Sequence, residues 1–172
     1  MFTYEGITIA ATGHSGFRIT SGKTIYIDPY KLAGSPPPAD LVCVTHEHHD
    51  HASPEDLRKV VTAATTVVTT AACQAALAGL GPRQVHVVKP GDALEVEGIS
   101  VRALPAYNVN KFRSPGVPFH PQPDGKVGFL LRLQRVTLYH AGDTDEIPEM
   151  EQAKGVDIAF LPVSGKYVMT TE

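Results

Sequence analysis

Cysteine is scarce: Cys43 and Cys73 are the only two in 172 residues. That number rules out a four-cysteine structural zinc site. Cys43 lies in an apolar run and Cys73 in an alanine-rich segment. Both placements suit small buried hydrophobes better than a disulfide, and they make a reducing cytoplasm the expected compartment. No apolar run approaches the roughly 18 residues of a membrane span, and the N-terminus lacks the charged-then-apolar layout of a secretion signal. A net charge of −3 gives no general reason to expect nucleic acid or an anionic membrane as partner. Gly-x-Ser-x-Gly is absent and neither cysteine suits a nucleophile, so a protein-derived nucleophile is not the expected chemistry. There is no internal repeat and no low-complexity tract. What remains is an ordinary globular composition, 42% hydrophobic, long enough to bury a core as one domain over residues 1–172.

The apolar pattern predicts an α/β chain with mixed sheets. Ile7–Ala10 and Gly16–Thr20 alternate as half-buried strands do, and Ser21-Gly22-Lys23 turns the second into Thr24–Ile27. Pro36-Pro37-Pro38 denies its tract regular structure before the apolar run Leu41–Val44. Ser53-Pro54-Glu55-Asp56 is a helix start, predicting a helix to about Ala63. A short strand is predicted at Thr66–Thr69, an alanine-rich helix over Ala71–Leu80, and a strand at Val85–Val88. Glu97-Gly98 turns one hairpin, Ala93–Val96 with Ile99–Leu104, and a further hairpin pairs Val127–Leu133 with Val136–Tyr139. Between them, Pro105–Gly125 is proline-rich without period and reads as a semi-rigid lid over a site. A short helix at Glu149–Ala153 and a strand at Asp157–Leu161 complete the pattern.

Thr45-His46-Glu47-His48-His49-Asp50-His51 follows the run Leu41–Val44 and precedes the helix start, so its ligand-type side chains sit where a buried strand ends. If strand geometry continues, His46, His48 and Asp50 project to one side, because side chains alternate with period two. His51 joins them only if the backbone turns. Neutral imidazoles with a carboxylate suit Zn2+, and also Mn2+ or Fe2+, at one or two ions per chain.

That stretch resembles the signature of the metallo-β-lactamase-like hydrolases. The likeness extends to Gly13-His14-Ser15, Ile25–Pro29 and Tyr139–Thr144, and it is similar to the branch containing the ascorbate-phosphate lactonase. The resemblance implies an αββα sandwich and a metal-bound hydroxide acting on a small ester, lactone or phosphodiester. It further implies His46 and His48 on a first metal, Asp50 and His51 on a second, and Asp143 bridging both, with Asp50 also steadying the attacking hydroxide or passing a proton to the leaving group. The family's usual third histidine falls near Asn108, whose amide oxygen is a weak donor, and His120 is the nearest substitute; both stay open here. Asp28 is a candidate outer-shell acceptor for a ligand histidine or else a turn-former before Pro29. His14 is a candidate to reach the metal cleft or substrate, Asn108 to meet substrate, and Lys111 and Arg113 to bind its phosphate or carboxylate. His49 is expected to face away, with His140 and His86 structural.

The family pattern has a further helix and a final strand carrying the second metal's last histidine, and no equivalent precedes Glu172. The expected fold is therefore the sandwich lacking its last helix and strand. The alternative function is a truncated metal-binding domain with little or no activity. Related di-iron redox domains place a carboxylate where His48 stands, so His48 favours hydrolysis. A small-molecule substrate is the expected partner, with a homo-oligomer possible through an unpaired sheet edge.

Overall fold

The computed structural model describes residues 1–171, which divide after residue 88 into two compact units, residues 1–88 and the described residues from 89 on.

The first unit holds a seven-stranded sheet whose strands lie in chain order: β1 (Phe2–Tyr4), β2 (Ile7–Ala11), β3 (Phe17–Thr20), β4 (Thr24–Ile27), β5 (Leu41–Val44), β6 (Thr66–Thr69) and β7 (Gln84–Val87). β1 to β4 run antiparallel through tight turns, and β4 to β7 run parallel. Parallel pairing buries both faces, which is why β5 and β6 read as unbroken apolar or threonine runs. Val42 and Val44 pack with Tyr26, Val67, Cys73 and Leu77 and with Leu57 and Val60 of helix α1 (Pro54–Val60).

α1 starts as its sequence predicts, with the Ser53 hydroxyl accepting from the Asp56 backbone N–H at 3.2 Å. It stops short of Ala63 at Val60. There the backbone N–H of Thr62 donates to Thr65 Oγ1 and the Thr65 N–H to the Thr62 carbonyl, a local turn that competes with the helix. The alanine-rich segment forms a 3-10 helix over Ala71–Leu77, not a longer α-helix. It has no side-chain cap, and Gly79 and Gly81 both adopt positive φ, so too few residues remain to nucleate α-helix. Glu149–Ala153 lies likewise in a 3-10 helix, Pro148–Ala153. β1 is an addition to the predicted set; its three residues are exposed and carry no alternation.

The buried Asp56 ties α1 to the segment after β4. Its carboxylate accepts from the backbone N–H groups of Lys31 and Leu32, from Ser53 Oγ and from Lys59 Nζ, each at 2.9 Å. Burial alone would raise its pKa, but the bonds from Lys59, Leu32, Ser53 and Lys31 outweigh it and hold the group below the usual carboxylate value. A depressed carboxylate adds stability above its unfolded pKa and loses it as pH falls through the folded value. Asp56→Ala is therefore expected to cost about 1–3 kcal/mol at neutral pH, the range for stranding buried donors. The deficit against wild type should shrink towards pH ~3. Urea unfolding at the two pH values measures this; an equal deficit at both would exclude the charged carboxylate as the cause.

The second unit holds a five-stranded sheet in the order β14-β13-β12-β9-β8. Its strands are β8 (Ala93–Val96), β9 (Ile99–Pro105), β12 (Val127–Leu133), β13 (Val136–His140) and β14 (Ile158–Phe160). All pairs are antiparallel except β13 with β14. Glu97 and Gly98 both have positive φ, the conformation that matches a two-residue hairpin to strand twist. Gly128 is required where it stands. A Cβ there would come within 2.6 Å of the His140 carbonyl and 2.7 Å of that of Ala141, so β12 can lie against the exit of β13 only without a side chain. The proline-rich segment contains regular structure, a small hairpin of β10 (Phe112–Ser114) and β11 (Val117–Pro118) and a 3-10 turn over Gln122–Asp124. Tyr139 packs with Leu104, Ala141 and Ala153, and burial pushes its hydroxyl up to about 12, so it stays neutral.

Candidate metal centre

β4 and β5 run side by side and end together, which brings Asp28 next to Thr45. Asp28 is fully buried and takes the left-handed conformation, φ 45°, tolerated by aspartate because its short side chain bonds locally. One of its oxygens accepts from the Thr45 backbone N–H at 2.8 Å. The other accepts from the Thr45 hydroxyl at 2.6 Å and faces His51 Nδ1 at 2.8 Å. A hydroxyl has one proton, and Thr45 gives it to a carboxylate that can only accept. Towards His46 Nδ1, 3.0 Å away, Thr45 Oγ1 therefore acts as acceptor. Both His46 and His51 then carry their proton on Nδ1, which makes Nε2 the acceptor nitrogen of each ring. One carboxylate and one hydroxyl thus set the tautomers of two histidines.

β5 stops at Val44, and the chain turns instead of continuing as strand: the His51 and Ala52 N–H groups both donate to the His48 carbonyl, at 2.9 and 2.8 Å. His51 thereby joins the group, its ring 4.0 Å from that of His46. His46 Nε2 and His48 Nδ1 face each other at 3.1 Å. Two nitrogens on one tetrahedral zinc, at bonds of 2.0–2.1 Å, sit about 3.4 Å apart, so the pair has near-ligand spacing. Asp50 Oδ2 lies 3.8 Å from His51 Nε2 and 3.5 Å from His14 Nδ1. His49 points to solvent, as expected, its side chain 84% exposed. Burial, with the Asp28 carboxylate adding to it, pushes the Cys43 thiol far above its ordinary value, so this neighbour stays protonated and is neither ligand nor nucleophile.

In the second unit, Asn108 and His120 are partners, not rivals. Asn108 Oδ1 accepts from the His120 backbone N–H at 2.7 Å and from His120 Nδ1 at 2.9 Å. Its amide group donates to the Tyr167 carbonyl at 3.0 Å, and the Tyr167 ring stands edge-on to Phe119 at 4.9 Å. The oxygen a metal would need is engaged, and so is the amide that would meet substrate; Asn108 is a holder of His120. With its proton on Nδ1, the buried His120 holds Nε2 3.5 Å from Asp143 Oδ2. The hairpin β10–β11 and the following turn return His120 to Asn108, contacts twelve residues apart that sequence spacing did not reveal.

Asp143 sits in a loop stitched down on both sides. Tyr107 N–H donates to Thr144 Oγ1, the Thr144 hydroxyl shares its one proton between the carbonyls of Tyr107 and Asp145, and Asp145 N–H donates to the Tyr107 carbonyl. Asp145, which sequence reasoning passed over, is buried and accepts from the N–H groups of Val109 and Asn110 at 2.8 and 2.9 Å. Lys111 Nζ lies 3.9 Å from Asp145 and bonds to Asn110, so its charge is already countered, whereas Arg113 is exposed on β10. The signal for Asp145 was its spacing of two from Asp143 after a strand. His140 accepts a Gly142 N–H on Nδ1, a structural bond.

Buried histidines held by carboxylate and amide partners at the ends of sheet strands define a metal-binding α/β fold, and its lineage is identifiable. The beta-lactamase superfamily domain matches residues 8–172, and the chain belongs to that superfamily with the metallo-β-lactamase fold. Within it, the chain belongs to the UPF0173 metal-dependent hydrolase family. A member from Methanoculleus marisnigri is 30% identical over 166 residues, 93% of this chain and 70% of the relative. The crystal structure of a protein from Parabacteroides distasonis is 33% identical, with a TM-score of 0.81 over 95% of this chain and 73% of that one. CmlA, a diiron β-hydroxylase from Streptomyces venezuelae, shares the fold at a TM-score of 0.66 and 22% identity, covering 91% of this chain and 34% of that one. No helix among the described residues is long and apolar enough to cross a membrane.

Proposed function

We propose that the chain is a zinc-dependent hydrolase of small esters, lactones or phosphodiesters. The observation that carries the reading is the pair His46 Nε2 and His48 Nδ1 at 3.1 Å, with His46 locked through Thr45 to a buried carboxylate. Borderline nitrogen donors with few carboxylates suit zinc better than a hard cation. In this reading His46 and His48 would hold one ion and Asp50 and His51 a second, with His120 and Asp143 as further candidate ligands from the second unit. A bound divalent ion supplies Lewis-acid polarisation of the substrate oxygen and brings water ionisation towards neutral pH. The chain's own residues do the rest. Asp28 and Thr45 fix two imidazoles, Asn108 fixes a third, and Asp50, partly exposed at the mouth of the turn, is placed to take or return the proton at the reacting group.

Lys111 and Asn110 line a cavity of about 400 Å³ in the second unit together with Asp145, Glu146, Met150 and Met169, a size that suits a small molecule. The fold alone also serves oxygen chemistry, as CmlA shows for its own chain; an imidazole at position 48 instead of a carboxylate favours hydrolysis here. Two buried free cysteines fit a reducing cytoplasm. The test of substrate class is a panel of esterase, lactonase and phosphodiesterase substrates run on zinc-reconstituted, tag-free protein; turnover of none would remove the hydrolase assignment.

Asn108 and His120 give a graded prediction. His120→Ala is expected to remove the tighter ion's third ligand outright. Asn108→Ala should weaken that ion by about 10–100-fold, the usual cost of losing a ligand's orienting partner. Competition with a chromophoric chelator ranks the two variants, and the opposite order would make Asn108 the ligand.

A further inference from the structure

We propose that His14 is a metal ligand, and that with Asp50 and His51 it forms a cation site built entirely from residues 1–88. One nitrogen or oxygen from each of the three lies within 4.8 Å of the others. Asp50 Oδ2 stands between the two imidazoles, 3.5 Å from His14 Nδ1 and 3.8 Å from His51 Nε2. These separations approach the roughly 3.4 Å expected between donors on one tetrahedral zinc. The donor set, two neutral imidazoles and one carboxylate, is that of a borderline divalent ion.

The loop carrying His14 is built to hold it there. His14 adopts φ 53°, a left-handed conformation uncommon for any side chain but glycine. Strain of this kind persists where surrounding structure enforces it, and here two glycines do so. A Cβ on Gly13 would come within 2.6 Å of the Tyr30 carbonyl, and one on Gly16 within 2.5 Å of the Asp28 carbonyl. The loop therefore lies against the backbone of residues 28–30, closed by Thr12 N–H to the Gly16 carbonyl at 2.9 Å and Gly16 N–H to the Gly13 carbonyl at 2.8 Å. The Tyr30 ring stands edge-on to His14, and the His14 ring edge-on to that of His51 at 6.0 Å. His14 Nδ1 is also 3.2 Å from Ser15 Oγ, a neighbour whose hydroxyl can rotate away when an ion takes the lone pair. Asp28 thus organises both sides of the site, receiving His51 Nδ1 on its carboxylate and Gly16 against its backbone.

The proposal rests on the reading of Asp50 and His51 as ligands, and the experiment separates the two. The 172-residue chain is stripped of metal and titrated with Zn2+ alone, as wild type and as His14→Ala, His14→Asn and His46→Ala. Asparagine tolerates the left-handed backbone, so His14→Asn controls for strain. Wild type should bind ions in two affinity classes, and both His14 variants should lose one class by about tenfold or more, leaving the other unchanged. His46→Ala should affect the class that survives in the His14 variants. In 15N-labelled wild type, the His14 ring nitrogen should shift on zinc addition. Two undiminished classes in both His14 variants, with His46→Ala still losing one, would overturn the His14 assignment and leave the hydrolase reading standing. No zinc binding by wild type would overturn both.

Discussion

Replacing His46 or His48 with alanine is expected to strip the chain of its tightly held ion and to abolish measurable hydrolysis. Losing an outer partner of a ligand typically costs 10–100-fold, so losing the ligand itself should exceed about 100-fold in both affinity and turnover. His46 is the sharper case. It is buried, receives its orientation from Thr45, and brings its Nε2 to 3.1 Å from His48 Nδ1. Thr45→Val, which keeps the shape and removes the hydroxyl, should reproduce part of the loss by freeing the His46 tautomer. Metal content after gel filtration, with circular dichroism to confirm the fold, measures all three variants. Wild-type metal content in both histidine variants would refute the ligand assignment.

Asp143→Asn is expected to lower metal affinity and activity together, on the order of 100-fold each, because a neutral amide cannot compensate cationic charge as a carboxylate does. The backbone around Asp143 is held by Thr144, Asp145 and Tyr107, none of which needs its carboxylate, so the substitution should leave the fold intact. Unchanged turnover in Asp143→Asn, at wild-type stability, would reduce Asp143 to a structural acid.

The parts of this chain legible in its sequence are those governed by neighbours in sequence. The start of α1 follows from Ser53 and Pro54, the hairpin turn from Glu97-Gly98, and the place of the histidine-rich turn from the apolar run before it. Asp28 had two open readings, an acceptor for a histidine or a turn-former before Pro29, and the 2.8 Å contact shows that it partners His51. What stayed hidden depends on partners far along the chain. The engagement of Asn108 with His120 requires the β10–β11 hairpin, which carries no alternation because its strands are two and three residues long and exposed. The nearness of His14 to Asp50 depends on glycines fitting against the backbone of residues 28–30, a close approach invisible in residue type alone. Thr45 reads as an ordinary strand-end threonine until the single proton of its hydroxyl is followed. The alanine-rich segment has helix-forming composition, yet its length and missing cap settle it as a 3-10 turn.

Elemental analysis of tag-free protein, before and after chelation, tests the central claim most directly. The account predicts at least one zinc-class ion per chain as purified, loss of that ion together with hydrolytic activity on chelation, and return of both on adding Zn2+. Protein that carries no stoichiometric metal, or whose hydrolysis persists unchanged after the metal has been removed, would contradict it.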